Sequence, residues 1–342
     1  MNKVSMNDIA RLSGVSSATV SRVINNSGRF SEETRKKVLK VIEETGYEIN
    51  SVAKSLRMKQ TYSIGLIVPD ITNQFFAEIV QKIEEIFFQY SYSTIICNSG
   101  GNTEKEKLYL KMLESKMVDG LVFISGVQKF DVNKILSSNL PIIYIDRKPS
   151  ILKGNVYISS DHYNGAREAT NLLLESGAKH PAFLNYSRTS SSVNDRLLGF
   201  AEALKESNII FDKEKNLIEV KSNKKINSNF RVTKALDKYY ANNKNVDSIF
   251  AANDLLAINA VNYLLSIGKK IPEDIQVIGF DDNPVASQFR PKISTIRQDT
   301  DEIAELTSEY LLMLMKEKNK RIQKNIYIPT KIIERETTFN FK

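Results

Sequence analysis

Two groups of side chains in this sequence have the types and spacing to do chemistry, and in both the chemistry is recognition. Ser16, Ser17, Thr19 and Arg22 fall on one polar face of a short helical stretch. Hydroxyls donate and accept, and the arginine fork matches guanine O6 and N7, so this face suits the major groove of DNA. The second group is scattered: Asp70, Asn73, Phe75 and Phe76, then Asp146 with Arg147, Arg196, Asn253 with Asp254, and Asp281 with Asp282. Rings to stack on, with carboxylates, amides and a guanidinium to bond hydroxyls, are what a polyhydroxylated ligand needs. Each has a plain structural alternative. Adjacent phenylalanines at a helix start are commonly core, and Asp70, Asp161 and Asp254 can serve as caps or turns.

Little here could break bonds. The two histidines, His162 after Asp161 and His180 before Pro181, both read as structural. No G-x-G-x-x-G follows a strand pattern and no G-x-x-x-x-G-K-[ST] occurs. The chain therefore reads as a non-enzyme without metal or cofactor. Its one cysteine, Cys97, excludes an intramolecular disulfide and a cysteine-based zinc site. It closes the apolar run Thr94-Ile95-Ile96, so a buried structural thiol is expected.

The first group is positioned by a helix-turn-helix. Ser5-Met6-Asn7-Asp8 is a capping box opening a helix through Ile9, Ala10 and Leu12, and Ser13-Gly14 ends it. Val15-Ser16 starts a second helix running to Ile24, with the glycine in the short turn between them. Ser31 caps a third helix, Glu32 to Thr45, with Gly46 just past its end and Lys36, Lys37 and Lys40 available for phosphates. Asn50 then caps barely two turns of helix, too short to be stable alone in water. Residues 1–60 carry 11 Lys and Arg against 6 Asp and Glu, which is +5 of the chain's net +8. A basic head on a near-neutral body fits phosphate binding by the head.

The second group is positioned by alternating strands and helices. Tyr62 to Val68 is an apolar run closed by Pro69-Asp70, followed by a helix over 75–90. Strands follow at 93–97, 120–124 and 141–145, and the rhythm restarts at 156–159. Helices are expected at 162–176, 193–207, 230–240 and 254–266, and strands at 182–185, 217–220, 248–251 and 276–279. Repeated βαβ units imply parallel, doubly wound sheets, with ligands beyond the strands' C-terminal ends. The second group sits at such ends. At 342 residues the chain suits two or three domains. It has no apolar segment near 18 residues, so a soluble cytoplasmic protein is expected.

From Val4-Ser5-Met6-Asn7-Asp8-Ile9-Ala10 through Ala18-Thr19-Val20-Ser21-Arg22-Val23-Ile24-Asn25, Ser31-Glu32-Glu33-Thr34-Arg35, Gly46-Tyr47 and Asn50-Ser51-Val52-Ala53-Lys54-Ser55-Leu56, the chain resembles LacI/GalR-type repressors. The resemblance runs to the last strand. It implies an all-α head at 1–49, a hinge helix and linker at 50–60, and a two-lobed, periplasmic-binding-protein-like α/β core at 61–342. Lobe one is expected at 61–160 and 291–322, lobe two at 161–290 and 323–342. By analogy Ser16, Ser17, Ala18 and Arg22 read bases and Leu56 wedges into the minor groove. The DNA-contacting set would be completed by Ser5, Thr19, Ser21, Asn25, Asn50, Ala53 and Lys54. The effector would meet Asp70, Asn73, Phe75, Phe76, Asp146, Arg196, Asn253 and Asp281. Many relatives place an aromatic cleft wall where this chain has Lys224-Lys225-Ile226-Asn227. Two lysines there suit a phosphorylated sugar, and equally a solvated loop.

The resemblance implies a homodimeric repressor of a carbohydrate-use operon, on a pseudo-palindromic operator, answering to a sugar or sugar phosphate. No leucine-heptad tail follows Phe339, so a dimer is expected rather than a tetramer. A transport sugar-binding protein would need export, and a DNA-reading head stands where its signal peptide would be. A global catabolite regulator using a phosphoprotein corepressor remains the alternative.

Overall fold

A computed structural model describes residues 4–47, 60–124, 131–137, 139–149, 152, 155–187, 190–221, 228–317 and 322–339. The chain forms two compact units, Met1–Thr61 and Tyr62–Lys342. The expected hinge residues Asn50, Ala53, Lys54 and Leu56 lie outside the described residues, as does 224–227.

The first unit holds three helices: α1 Met6–Ser13, α2 Ser17–Ile24 and α3 Glu32–Thr45. Both halves of the Ser5–Asp8 capping box form, and Gly14 ends α1 at φ 68°, a left-handed conformation that favours glycine. Ser16 caps α2 from outside the helix, where the sequence places it in the first turn. Ile9, Ala10, Val20, Val23 and Val38 bury together. Four of the five are Val or Ile, each contributing about 1.5–3 kcal/mol when fully buried, and together they hold three short helices against one another.

The second unit contains two parallel sheets. Strands β1 Ser63–Val68, β2 Ser93–Asn98, β3 Gly120–Phe123, β4 Ile142–Ile145, β5 Val156–Ser160 and β11 Lys324–Ile328 form the first, in the order β11-β5-β4-β3-β1-β2. Helices α4 Gln74–Gln89 and α5 Thr103–Ser115 connect its strands. The second sheet orders β7 Leu217–Val220, β6 Pro181–Tyr186, β8 Ser248–Ala251 and β9 Gln276–Ile278 as β7-β6-β8-β9. Around it lie α6 His162–Glu175, α7 Ser191–Glu206, α8 Lys213–Asn216, α9 Ser228–Tyr240, α10 Asp254–Ser266 and α11 Pro284–Gln288. Helix α12, Thr300–Lys316, buries Ile303, Ala304 and Leu311 in the first lobe's core. Strands β10 Thr295–Arg297 and β12 Lys331–Ile333 pair antiparallel.

The lobe boundaries differ from those expected. Residues 291–297 stay with lobe two: Ile293 and Ile296 bury in its core, and Ser294 and Arg297 bridge to Ile278 and Asp281. Strand β11 belongs to lobe one, in parallel register with β5 from Lys324–Val156 to Ile328–Ser160. The chain then returns, and Thr337 accepts from Val277 N–H in lobe two at 2.8 Å. The chain thus crosses between lobes near 161, 298–299 and 329–330. Hydrophobic pattern identifies a strand but not its neighbour, so the sequence does not say which sheet β11 joins.

Cys97 is buried, and burial pushes its thiol up to about 11. Among the described residues no helix is long and apolar enough to cross a membrane, and no group of three or more His, Cys, Asp or Glu could hold a metal ion.

Candidate functional site

The head presents a compact polar face on α2. Val20 and Val23 are buried, whereas Ala18 and Arg22, one turn apart, are exposed. Ser16 Oγ accepts from Thr19 N–H at 3.1 Å and lies 2.9 Å from the Thr19 hydroxyl. Ser17 Oγ donates to Asn7 Oδ1 at 2.9 Å, tying α2 to α1. Ser5 is held by Asp8, and hydrogen bonds from Ser5 hold that carboxyl below the usual range. Asn25 Nδ2 donates to the Ser21 carbonyl at 2.8 Å, closing the helix. Capping therefore occupies Ser5, Ser16, Ser21 and Asn25, while Ala18 and Arg22 stand clear. Among the described residues no acid pairs with Arg22. Its stem passes Gly28, held at φ 80°, where a Cβ would come within 3.4 Å of Arg22 Cδ. The sequence does not mark Asn7 or Gly28, because their roles depend on contacts outside their own segment.

The core places a buried polar network where its lobes meet. Asp146 directly follows β4, and His162 opens α6 after the first crossing. His162 Nε2 lies 3.0 Å from Asp146 Oδ1, and Ser192 Oγ donates to Asp146 Oδ2 at 3.1 Å. Arg196 Nη2 and Nε reach His162 Nδ1 at 3.3 and 3.4 Å. A guanidinium can only donate, so Nδ1 carries the lone pair and Nε2–H donates to Asp146. Burial, then the Arg196 charge, lowers the His162 pKa and keeps the ring neutral. Burial opposes ionisation of Asp146, but its bond to His162 and the charges of Arg196 and Arg147 outweigh that, holding it at about 2.

Arg196 also donates through Nη1 to the Ala252 carbonyl, approaches Asp281 Oδ1 at 3.5 Å, and lies with Cζ 3.7 Å from the Phe280 ring centroid. Burial raises Asp281 to about 7 even though Arg196 pulls it down. Gln298 Nε2 donates to Asp281 Oδ1 at 2.7 Å. Asp254 accepts from Thr295 Oγ1 at 2.5 Å and Asn283 N–H at 2.7 Å, and burial raises its pKa.

Of the expected effector residues, Asp146, Arg196 and Asp281 are brought together. Asp70 accepts from Thr72 N–H and hydroxyl at 3.0 and 2.7 Å in an exposed turn. Asn73 caps α4, accepting from Phe75 N–H at 3.0 Å. Phe75 and Phe76 are packed in lobe one's core, with the Arg147 guanidinium 5.9 Å from the Phe76 ring. Asn253 caps α10, accepting from Leu256 N–H at 2.9 Å. Asp254 is the first residue of α10, not its cap. His162, Ser192, Phe280 and Gln298 join the network without belonging to the expected effector set. Only Ser192 had a local signal, one helical turn before Arg196. A cavity of about 560 Å³ lined by Lys148, Asp161, Tyr163, Asn194, Asp195 and Tyr327 lies between α7 and the residues just after β4 and β5, beside the network, whose Asp146, Arg196 and Asp281 are not in its lining. A sugar-sized ligand fits that volume.

Two family models match. One, for bacterial regulatory proteins of the lacI family, covers residues 5–50. The other, for a periplasmic binding protein-like domain, covers 170–338. The HTH-type transcriptional regulator RegA of Clostridium saccharobutylicum is 35% identical, over 98% of this chain and 99% of its own. The ribose operon repressor of Halalkalibacterium halodurans is 33% identical, over 97% and 96%. The lac repressor dimer bound to operator and the anti-inducer ONPF superposes with a TM-score of 0.85 at 26% identity, covering 99% of this chain and all of that one. An N-terminal helix-turn-helix, a periplasmic-binding-like core and relatives alike along their whole length establish that this chain belongs to the lacI family of bacterial regulatory proteins.

Proposed function

We propose that this chain is a homodimeric repressor of a carbohydrate-use operon, binding a pseudo-palindromic DNA operator and controlled by a sugar or sugar phosphate between its core lobes. The observation that carries the reading is the buried Asp146–His162–Arg196–Asp281 network, in which groups from both lobes share hydrogen bonds. A ligand that competes for those groups changes how the lobes meet, and differential binding to two arrangements is all that allosteric control requires. Relatives named for the ribose operon and the lac operator support both halves of the proposal.

On the head, Ser16, Ser17, Ala18 and Arg22 read bases; Ser5, Thr19, Ser21 and Asn25 complete the contacts. Two-fold symmetry of the dimer matches two half-sites. Asn50, Ala53, Lys54 and Leu56 complete the DNA contacts by resemblance. In the core, Asp146, Arg196 and Asp281 hold the effector, with Asp70, Asn73, Phe75, Phe76 and Asn253 as outer candidates. The test is operator affinity, on DNA upstream of the neighbouring genes, with and without a panel of sugars and sugar phosphates. A fall with one compound, lost in Arg196→Ala, is expected. Indifference to every compound, with tightening by a phosphorylated carrier protein, would replace this reading with the global regulator.

A further inference from the structure

The side chains of the buried network bond mainly to one another; those lining the cavity beside it do not. Helix α7 serves both. Ser192 and Arg196, four residues apart, reach Asp146 and His162. Ser191, Asn194 and Asp195 occupy a different face of the same helix and line the cavity. The start of α6 divides in the same way: the His162 ring enters the network, while Asp161 and Tyr163 on either side of it line the cavity. Lobe one contributes Lys148, just after β4, and Tyr327 on β11.

Two opposite charges stand open in that cavity. Among the described residues, no hydrogen bond or ion pair engages the Asp195 carboxylate or the Lys148 ammonium, and the two do not pair with each other. Lys148 is fixed through its backbone: its N–H donates to Ser191 Oγ at 2.9 Å, which sets it beside the N-terminus of α7. Asp195 lies one turn further along that helix. It is half-buried, and burial raises its pKa, so a cation delivered to it is worth more than at an open surface. The cavity's other acid is already engaged, Asp161 accepting from Asn164 N–H at 3.1 Å and Nδ2 at 2.7 Å. Tyr163 and Tyr327, 37% and 50% exposed, add two ring surfaces.

The charges discriminate between ligand classes. A neutral sugar would leave both unanswered. A phosphorylated compound would meet Lys148 but also two carboxylates, and a simple cation would meet Asp195 but also Lys148. A zwitterion answers both, with its carboxylate at Lys148 and the positive end of α7, and its ammonium at Asp195.

We propose that this cavity is a second small-molecule site, taking a neutral amino acid whose side chain lies against Tyr163 and Tyr327. It goes beyond the sugar reading and does not depend on it. The test is calorimetric titration of the full-length chain with L-valine, L-leucine, L-methionine, L-phenylalanine and L-tyrosine, each beside its N-acetyl and carboxamide forms. At least one free amino acid is expected to bind. Its two derivatives, each lacking one charge, bind roughly 10-fold or more weakly. Asp195→Asn and Lys148→Met, verified as folded by their unfolding curves, each lose a similar factor for the free amino acid. Binding by none of the five, or binding indifferent to N-acetylation or to Asp195→Asn, would overturn the inference. So would a sugar whose own binding weakens in Asp195→Asn, which would give the cavity to the sugar instead.

Discussion

Replacing Arg196 by methionine tests the electrostatics of the lobe seam most directly. The guanidinium serves His162 Nδ1, the Ala252 carbonyl and Asp281. Methionine keeps much of the apolar stem but leaves two buried acceptors without donors and a buried carboxylate without its cation. One-sided loss of a buried pair costs about 3–5 kcal/mol. The loss should depend on pH. Burial already lifts Asp281 to about 7, against the pull of Arg196. A carboxyl raised in the folded state contributes stability that is complete below its unfolded pKa and is lost as pH climbs through the folded value. In the parent that loss levels off above about pH 7, once Asp281 ionises beside Arg196. Without Arg196 the carboxyl stays protonated to higher pH, and the loss continues.

Between pH 6 and 8 the variant therefore falls behind by a further ~1.4 kcal/mol, one pKa unit's worth. At pH 6 both proteins hold the proton and this increment vanishes. His162 moves the comparison in the same direction, because losing the Arg196 charge makes its ring easier to protonate beside Asp146 at low pH. Asp146, held at about 2, does not titrate in this window. The assay is urea unfolding at pH 6 and pH 8 for the parent, Arg196→Met, and Arg196→Met combined with Asp281→Asn. The double variant should lose most of the pH-dependent increment. Equal destabilisation of Arg196→Met at both pH values, or an undiminished increment in the double variant, would refute the reasoning.

Arg22→Ala should weaken specific operator binding by roughly 1–3 kcal/mol, read by fluorescence anisotropy, and leave thermal unfolding unchanged. Gly199→Ala would set a Cβ 2.1 Å from the Tyr163 carbonyl, where α6 and α7 pack closely; relieving that overlap should cost about 1–3 kcal/mol or more, seen as a lower urea midpoint. Thr295→Val removes the donor to Asp254 Oδ1 with little change of shape. It should cost about 1–3 kcal/mol by the same assay, because the buried carboxyl loses one of its partners.

What could be read in advance, and what could not, divides by the range of the forces involved. The Ser5–Asp8 box, the Ser16 and Ser31 caps and the glycines at 14 and 46 are set within a few residues, so sequence alone located the head's helices to within a residue or two. The βαβ rhythm likewise follows from local pattern. The seam does not. His162 meets Asp146 and Arg196, 16 and 34 positions away, and Arg196 reaches Ala252 across 56. Beside Asp161 at a helix start, a histidine looks like an ordinary structural residue; only the crossing at 161 makes it a shared group. Gln298 shows the same limit. Nothing in Ile296-Arg297-Gln298-Asp299 marks the glutamine, but the chain crosses there, pairs one end of its amide with Asp281 and leaves the other unanswered. In a two-lobed core the crossings put side chains where both lobes can reach them. Sensitivity to ligand should therefore concentrate near 161, 298 and 329–330 as well as at the strand ends that composition alone picks out.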